Sequence, residues 1–489
     1  MSNTLGKNAA ILTVSKIMTT AISLVSAMLL SRFRDLQEYG TYSQILLVIN
    51  LFTALFMLGL PNSTNYFLAL SDTPEKRWHF LSVYYTLNTI LCLIMGVALA
   101  ISVPLIVSYF KNPLIRDFTY ILVLLPWTKI VISSISNILV VYGRTGQLTL
   151  FNVINAAVAL LSILITKLFG WSFQEYMLLY LIGEGGMMVA VYVIVWRLER
   201  PLKICFDTQL VKTIFTYSVP IGLAALVGTL DLEIDKLMIG GMLDTEQLAI
   251  YTNAAKELPL TIVASSLTAV LLPQMARMLK NQNAKDAISL WGDTVCLSYM
   301  IICFFASALI AFAPQVITIL YSEKYLPGVP VFRVYSAVLL LRCTYFGIVL
   351  NSIGKTKPVF YTSILSLGLN AVMNYTFFRA FGMIGPAIAT FFSIAIAGFV
   401  QLYITSKTLA VELRKLLPWR SLAKITLINA LLCGAWSAVK AILRLGTSVK
   451  DIIVAVILGM IGTLGYALAL RKRIISLWRA INSDRKVHD

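Results

Sequence analysis

The fold class is decided by long uncharged stretches such as residues 81–103, which read LSVYYTLNTILCLIMGVALAISV. A helix of about twenty apolar residues spans the hydrocarbon core of a bilayer. Blocks of this kind recur along the 489 residues, so neither a single anchor nor a cleaved signal peptide accounts for them. The pattern predicts an all-α polytopic membrane protein with about fourteen transmembrane helices.

The composition agrees with this interpretation and excludes an ordinary soluble protein. The chain is 58% hydrophobic and 13% charged, whereas a soluble domain is about 25% charged. Connections between the apolar blocks are short, which leaves no room for a separate catalytic domain. The predicted spans lie near 8–30, 41–69, 81–103, 118–140, 148–168, 175–196, 213–240, 250–273, 289–313, 331–352, 358–380, 383–406, 425–443 and 451–470.

The net charge of +18 reflects topology and does not indicate a nucleic-acid partner. With the N-terminus in the cytoplasm, 24 of the 40 Lys and Arg residues fall on cytoplasmic segments, and the other 16 lie on outer segments or within the spans. Cytoplasmic loops of membrane proteins carry such an excess of basic residues. The sequence therefore predicts a multi-pass protein of a bacterial cytoplasmic (inner) membrane, with both termini in the cytoplasm.

Three short motifs recur in the same order in the two halves of the chain, with offsets of 209, 211 and 212 residues. Three ordered matches at a nearly constant offset indicate an internal repeat. The matched pairs are Glu38–Tyr42 with Gln247–Tyr251, Gly143–Thr145 with Gly354–Thr356, and Phe169-Gly170 with Phe381-Gly382.

The repeat predicts two six-helix bundles of the same orientation, because six is an even number of crossings. Parallel repeats of this kind occur in transporters that work by alternating access. The expected organisation is an N-terminal bundle at 1–196, a cytoplasmic linker at 197–212 and a C-terminal bundle at 213–406. Two additional helices and a basic cytoplasmic tail follow at 407–489.

Three stretches also resemble a known family. They are Leu30–Arg34 continuing through Glu38–Gly40 to Leu58–Leu60, Asp235–Gly240 followed by Tyr251 and Ala254-Ala255, and Asn374 through Phe381-Gly382 to Thr390. Across roughly residues 5 to 410 the chain resembles the polysaccharide flippases of the multidrug/oligosaccharidyl-lipid/polysaccharide exporter superfamily. Pro386 departs mildly from the family pattern, at a helix start where proline is tolerated.

The resemblance implies a carrier that moves a polyprenyl-diphosphate-linked oligosaccharide, such as an O-antigen repeat unit, to the outer leaflet. We also expect contact with membrane lipid and with glycan polymerase or assembly proteins, and a cycle driven either by coupling to H⁺ or Na⁺ or by the membrane potential alone. A cation-coupled drug or metabolite exporter of the same superfamily is the alternative. A membrane-embedded glycan polymerase is disfavoured, because no long external loop is visible.

Charged side chains inside the predicted spans are the candidates for function, since each costs about 2.5–3.5 kcal/mol at mid-bilayer. Basic groups facing a cavity could grip the phosphates of a lipid-linked sugar. Snorkelling to the interface or pairing between helices are the structural alternatives, and Arg32 and Arg34 could equally be loop charges. The candidate substrate-binding residues are Lys16, Arg32, Arg34, Lys129, Lys256 and Arg342.

Asp231 and Asp235 share a face of the seventh predicted helix at i,i+4 spacing, and Glu233 can pair with Lys236 at i,i+3. The two aspartates could carry a proton or cation, or they could form structural ion pairs with Lys256 or Arg342. Both roles remain open from the sequence alone.

Motifs for enzymatic chemistry are missing from the sequence. Gly354-Lys355-Thr356 resembles the end of a phosphate-binding loop, but Val349 occupies the position of its first glycine. The two histidines, His79 and His488, fall outside the predicted spans, and the six cysteines lack metal-ligand spacing. We therefore expect neither an enzyme nor a cofactor or metal.

Overall fold

The computed structural model describes residues 2–482, with side chains from 11 to 477. The end of the predicted basic tail and His488 lie outside the described residues. Over the described part, the α-helices are α1 Ser2–Phe33, α2 Leu36–Met57, α3 Leu60–Ser63, α4 Pro74–Phe110, α5 Thr119–Val141, α6 Thr145–Leu168, α7 Phe173–Leu198, α8 Thr208–Met242, α9 Thr245–Ala254, α10 Thr261–Lys280, α11 Ala284–Ala311, α12 Ala313–Tyr321, α13 Val329–Leu341, α14 Ile348–Ser352, α15 Thr356–Phe381, α16 Gly385–Leu409, α17 Leu413–Leu416, α18 Trp419–Ile442 and α19 Val449–Asn482.

Twelve segments of the described chain are long and apolar enough to cross a membrane. One of them, Thr356–Leu409, contains two helices, α15 and α16, joined by a short turn at Gly382–Ile384. Helices α13 and α14 together form a further crossing. Each is too short by itself to span a membrane, so the pair is not among the twelve segments. The all-α polytopic fold predicted from the sequence is confirmed, and these crossings match the expected number of about fourteen.

The internal repeat is visible in the backbone. Gly143 and Gly354 both adopt positive φ angles, of 68° and 75°, at matching helix ends, and Gly170 and Gly382 do so at 67° and 61°. Only glycine enters this region without a steric cost, which explains why these positions of the motif recur. Single 3₁₀ segments at Pro113–Phe118 and Glu323–Gly328 also precede the fourth crossing of each repeat.

Three predicted spans, 41–69, 250–273 and 331–352, are wrong as continuous helices. The first breaks at Leu58 and Gly59, which both have positive φ, and Pro61 follows in the next turn. The second breaks between α9 and α10, where Pro259 lacks the amide that would continue the helix. The third breaks at residues 342–347, between α13 and α14.

The chain divides into two compact units, Met1–Ala249 and Ile250–Asp489. In the first unit α5 is central and packs against α2, α4, α6 and α7. In the second unit α11 is central and packs against α10, α13, α18 and α19. The repeat assigns α8 to the second bundle, whereas α8 packs against α2, α3 and α4 of the first unit. The repeat therefore divides the chain before α8, whereas the packing of the helices divides it after α8, at Ala249.

Two glycines allow α8 to approach the break after α2. A Cβ added to Gly222 would lie 2.3 Å from the Leu58 carbonyl carbon and 2.5 Å from the Gly59 nitrogen. On the other side, a Cβ at Gly59 would lie 2.5 Å from the Ser218 carbonyl oxygen. Backbone atoms cannot move away as a flexible side chain can, so this contact requires glycine on both segments.

The linker between α7 and α8 lies along the first turns of α4 and is bonded to them. Arg77 Nε donates to Glu199 Oε1 at 2.8 Å, and Trp78 Nε1 donates to the Pro201 carbonyl at 2.9 Å. Asp207 accepts from the Leu210 amide at the start of α8 and lies 3.1 Å from His79 Nε2. The Leu210 amide, followed by His79, lowers the pKa of Asp207.

Replacing Gly222 by alanine should destabilise the first unit by about 1–3 kcal/mol, because the added Cβ collides with the backbone at Leu58 and Gly59. Thermal unfolding of the detergent-purified protein, followed by the monodisperse fraction, measures the change. Gly228→Ala is the matched control on the same helix, where a Cβ meets nothing within 4 Å. Equal melting temperatures for the two variants would contradict the role of this contact.

Candidate functional site

Lys129 lies on the central helix α5 of the first unit and contacts two side chains of α7. Its Nζ donates to Glu184 Oε1 and to the Tyr180 hydroxyl, both at 2.9 Å. The ammonium also lies over the Tyr180 ring, 5.4 Å from its centroid. The lysine side chain is 34% exposed, whereas the glutamate side chain is 2% exposed. Lys129 is therefore accessible on one side and held by a buried carboxylate on the other.

Glu184 occupies a glycine-rich turn of α7, between Gly183 and Gly185. The first of these glycines lets α6 come close, since a Cβ at Gly183 would lie 2.4 Å from Cγ1 of Val158. The second oxygen of the carboxylate, Oε2, is buried and has no hydrogen-bond partner among the described residues. The ion pair with Lys129 is thus the main compensation for a carboxylate in an apolar environment.

A row of tyrosines leads from this pair to Arg34 at the end of α1. The rings of Tyr42 and Tyr176 are 6.3 Å apart, as are those of Tyr176 and Tyr180. The Arg34 guanidinium lies 5.9 Å from the Tyr176 centroid, and its Nη2 donates to the carbonyls of Trp171 and Ser172 at 3.1 Å. Arg34 therefore fastens the end of α1 to the turn between α6 and α7.

The other candidates in the first unit lie apart from this cluster. Lys16 is exposed on α1, which packs against α6 and α2, and Arg32 is exposed at the end of α1. On α8 the predicted pair forms, with Lys236 Nζ donating to Glu233 Oε2 at 2.8 Å. Asn50 also donates to Glu233, at 3.2 Å, which ties α2 to α8.

Asp231 and Asp235 lie in an uninterrupted part of α8, so they share a face as their spacing predicts. Asp235 is 2% exposed and accepts from the Lys236 amide at 2.7 Å, while Asp231 is half-buried. A buried aspartate on a membrane helix is compatible both with structural pairing and with cation coupling. The choice between these roles stays a prediction.

In the second unit three charged residues, Lys256, Glu257 and Arg342, lie at the helix breaks after α9 and α13. Arg342 ends α13, and its Nε lies 2.9 Å from Oε1 of Glu257, in the break between α9 and α10. The Nε–H does not point at the oxygen, so the contact is an ion pair without a hydrogen bond from this atom. Lys256 is exposed beside it, and a small cavity is lined by Lys256, Glu257, Tyr335 and Ser336.

Both breaks leave helix-end amides and carbonyls without helical partners, and such ends form polar binding sites in transporters. The sequence analysis offers Arg342 as a partner for the aspartates of α8; in the structure its Nε lies beside Glu257. The break supplies the physical reason, because it brings a charged segment next to the end of α13. Both units therefore combine a basic residue from the fourth crossing of the repeat with a carboxylate.

Glu184 and Glu257 both lie within predicted spans, 175–196 and 250–273, but the sequence analysis does not assign them to a site. For Glu184 the signal is in the sequence: apart from Glu175 at the first residue of the sixth span, it is the one carboxylate within the first six predicted spans, which makes it the expected partner for Lys129. For Glu257 the signal is Pro259, a proline within a predicted span at the point where the structure breaks the helix. No group of metal-binding side chains occurs in the described part of the chain.

Comparison with solved structures shows a shared fold. The structure of the lipid II flippase MurJ in an inward closed conformation superposes with a TM-score of 0.77 at 16% identity, covering 94% of this chain and 99% of that one. An inward-facing multidrug resistance MATE family transporter of the MOP superfamily gives 0.60 at 17% identity, covering 80% and 94%. A MOP superfamily transporter from Pyrococcus furiosus gives 0.53 at 16% identity, covering 82% and 96%.

Sequence comparison identifies the family. An uncharacterized membrane protein of Methanocaldococcus jannaschii is 32% identical over 217 residues, which is 42% of this chain and 42% of that protein. The alignment thus spans less than half the length of that relative. The family described as polysaccharide biosynthesis protein matches residues 29–330, more than half of the 489 residues. The chain is a multi-pass membrane protein with a flippase and transporter fold, and it belongs to the polysaccharide biosynthesis protein family.

Proposed function

We propose that this protein moves a polyprenyl-diphosphate-linked oligosaccharide from the cytoplasmic to the outer leaflet of a bacterial cytoplasmic membrane by alternating access. The observation that carries the proposal is Lys129, a half-accessible cation on the central helix of the first unit, bonded to Tyr180 and to the buried Glu184. The family and the flippase and transporter folds support it. Such a carrier performs no covalent chemistry and is not an enzyme.

The chemistry of the substrate explains why a cation is needed. The sugars and the diphosphate cannot cross hydrocarbon unaided, whereas the polyprenyl tail can remain in the bilayer. An ammonium group inside the bundle gives the diphosphate a charge-assisted contact that replaces part of its hydration. An inside-negative potential also favours outward movement of two negative charges, by about 4–5 kcal/mol per 100 mV.

The interrupted helices of the second unit supply a second group of charges, Arg342, Glu257 and Lys256. Arg342 and Lys256 are candidates for contacts to the phosphates or to acidic sugars. Asp231 and Asp235 remain the candidates for H⁺ or Na⁺ coupling. Glycan polymerase and assembly proteins would act on the product at the outer leaflet.

A cation-coupled exporter of drugs or metabolites is the alternative. The fold shared with the multidrug MATE transporter and the buried carboxylates of Glu184 and Asp235 favour it, since carboxylates attract cationic compounds. Deletion of the gene discriminates between the two. The flippase proposal expects a lipid-linked oligosaccharide to accumulate and the surface glycan to disappear, whereas an exporter would alter only the sensitivity to cationic compounds.

Removal of the Lys129 ammonium should reduce glycan export about tenfold to a hundredfold, the value of one or two charge-assisted hydrogen bonds. Because Lys129→Ala alone leaves Glu184 without its counter-ion, the decisive variant is the double change Lys129→Ala/Glu184→Gln. Surface glycan and membrane abundance are measured together in the deletion strain, with Lys450→Ala, on an exposed residue, as the control. Normal abundance and normal export in the double variant would contradict a role of Lys129 in transport.

Arg342→Ala should lower the yield of folded protein, by an amount on the order of 1–2 kcal/mol in stability, because Glu257 loses its counter-ion in a partly buried site. Adding Glu257→Gln should restore the yield. Monodisperse protein after detergent extraction is the measurement, and the exposed Arg379→Ala is the control. If the second substitution lowers the yield further, the two residues do not form a structural pair.

The charge bias predicts that intact cells expose the segments at 111–118 and 443–450. In a variant without native cysteines, Asp117→Cys and Lys450→Cys should react with a membrane-impermeant maleimide, and Lys76→Cys and Lys415→Cys should react only after permeabilisation. All four residues are exposed, so accessibility within the fold does not limit the reaction. The reverse labelling pattern would invert the proposed orientation.

A further inference from the structure

A cavity of about 720 Å³ lies in the connection between α16 and α18, and none of its lining residues belongs to the sites described above. Both helices are apolar and long enough to cross a membrane, and only residues 410–418 join them. A connection this short stays close to the membrane surface, so the cavity lies where lipid headgroups meet water. Its lining residues include Leu413, Arg414, Leu417, Trp419, Arg420 and Ser421.

The connection is held against the helices of the second unit, which gives the cavity a fixed wall. Leu416 and Leu417 are 0% and 4% exposed and pack in the same apolar core as Trp291 of α11. Trp419 Nε1 donates a hydrogen bond to the Leu413 carbonyl at 3.3 Å, which joins the start of α18 to α17. Because the segment is already packed, little of the binding free energy of a ligand is spent on ordering it.

Two arginines of the cavity, Arg414 and Arg420, are exposed, and neither forms an ion pair within the described part of the chain. The neighbouring carboxylate of Glu412 pairs instead with Lys415, with 3.0 Å between Oε1 and Nζ. No further Asp or Glu occurs in the sequence until Asp451, beyond the far end of α18. The cavity therefore carries an excess of positive charge that an anion can compensate.

The polar lining of the cavity matches a phosphate group. Guanidinium groups bind phosphate oxygens through two parallel hydrogen bonds. Ser421 adds a hydroxyl from the first turn of α18, and the helix begins at Trp419, so the positive end of its dipole lies at the cavity. Pockets for small ligands measure about 300–1,000 Å³, so a phosphate with an attached polar group fits the volume.

The apolar lining distinguishes a lipid phosphate from a free phosphate ion. Leu413 and Leu417 contribute apolar lining, and the ring of Trp419 is 42% exposed at the same place. Tryptophan is enriched at the membrane–water boundary because its ring is apolar and its N–H is polar. A phospholipid covers this surface with its glycerol and acyl groups, whereas an inorganic phosphate leaves it in water. Basic pockets between membrane helices bind anionic headgroups in this way.

We propose that this cavity is a binding site for the headgroup of an anionic phospholipid. Arg414 and Arg420 bind the phosphate, Ser421 donates a further hydrogen bond, and Trp419 lies at the level of the lipid glycerol. The bound lipid remains in its own leaflet and is not transported. The proposal goes beyond the proposed transport function and does not rest on it.

Native mass spectrometry of the purified full-length protein, with lipid added to the detergent, tests the proposal. The probes are phosphatidylglycerol and phosphatidylcholine with the same acyl chains, which share a phosphate but differ in net charge. The wild type should bind the first molecule of phosphatidylglycerol at least about tenfold more tightly, the value of one charge-assisted hydrogen bond. Equal affinity for the two lipids would contradict the proposal.

Arg414→Gln/Arg420→Gln should lose this preference for phosphatidylglycerol. Arg379→Gln/Arg444→Gln removes the same charge from two other exposed arginines of the second unit and should keep the preference. Arg414→Lys/Arg420→Lys retains the charge without the planar guanidinium, so its affinity should be intermediate. A preference that survives in the cavity glutamine variant, or that disappears equally in the control, overturns the site. If the glutamine variant does not fold, unchanged affinity in the lysine variant overturns it as well.

Two further ligands separate the phospholipid from other sources of phosphate. A millimolar excess of inorganic phosphate should leave phosphatidylglycerol bound, and its displacement would make the cavity a site for free anions. Tighter binding of a short-chain polyprenyl diphosphate than of phosphatidylglycerol, lost in the cavity glutamine variant, would assign the cavity to the transported substrate. Either result overturns the proposal, and neither bears on whether the protein is a flippase, because no measurement here follows transport.

Discussion

A backbone amide or a charged side chain in the hydrocarbon core of a bilayer has no water to bond to, so each must find a partner within the chain. Most of the chain meets this constraint by forming helices. The places that do not are the breaks after α2, α9 and α13. The Arg342–Glu257 pair lies at two of these breaks, and α8 covers the third through Gly222.

The same constraint makes the Lys129–Glu184 pair informative. A lysine on the central helix of a bundle is costly unless it is paired, and pairing it with a buried carboxylate removes much of that cost. In the second unit the basic residue again comes from the fourth crossing, but the carboxylate comes from an interrupted helix and not from the sixth crossing. The two halves therefore place the basic residue on the same crossing but take the carboxylate from different crossings.

The sequence predicts the fold class, the number of crossings and the repeat, because each of these depends on local composition or on matched motifs. Gly143 and Gly354, one of the matched motif pairs, recur because both positions adopt positive φ angles, which favour glycine. The interrupted helices were missed because hydropathy averages across a break as short as Leu58-Gly59. Pro61 and Pro259 lie at two of the breaks, but proline alone does not mark them, because four helices continue through Pro104, Pro126, Pro220 and Pro273.

The candidate site was predicted only in part. Lys129 and Arg342 were singled out because an intramembrane cation is rare, but their partners depend on contacts between helices 55 and 85 residues apart, respectively. Spacing on one helix predicted the Glu233–Lys236 pair correctly, since i,i+3 neighbours meet whatever the tertiary fold. The packing of α8 against α2, α3 and α4 has no such local signature.

The bonded linker between α7 and α8 has a mechanical consequence. An unbonded segment of nine residues, 199–207, would span about 30 Å when extended and could act as a flexible linker between α7 and α8. Here the segment is bonded to Arg77, Trp78 and His79 of α4, and its last residue, Asp207, caps the start of α8. A displacement of the start of α8 relative to α4 would have to break these bonds, so in the proposed transport cycle the two are expected to move as one body.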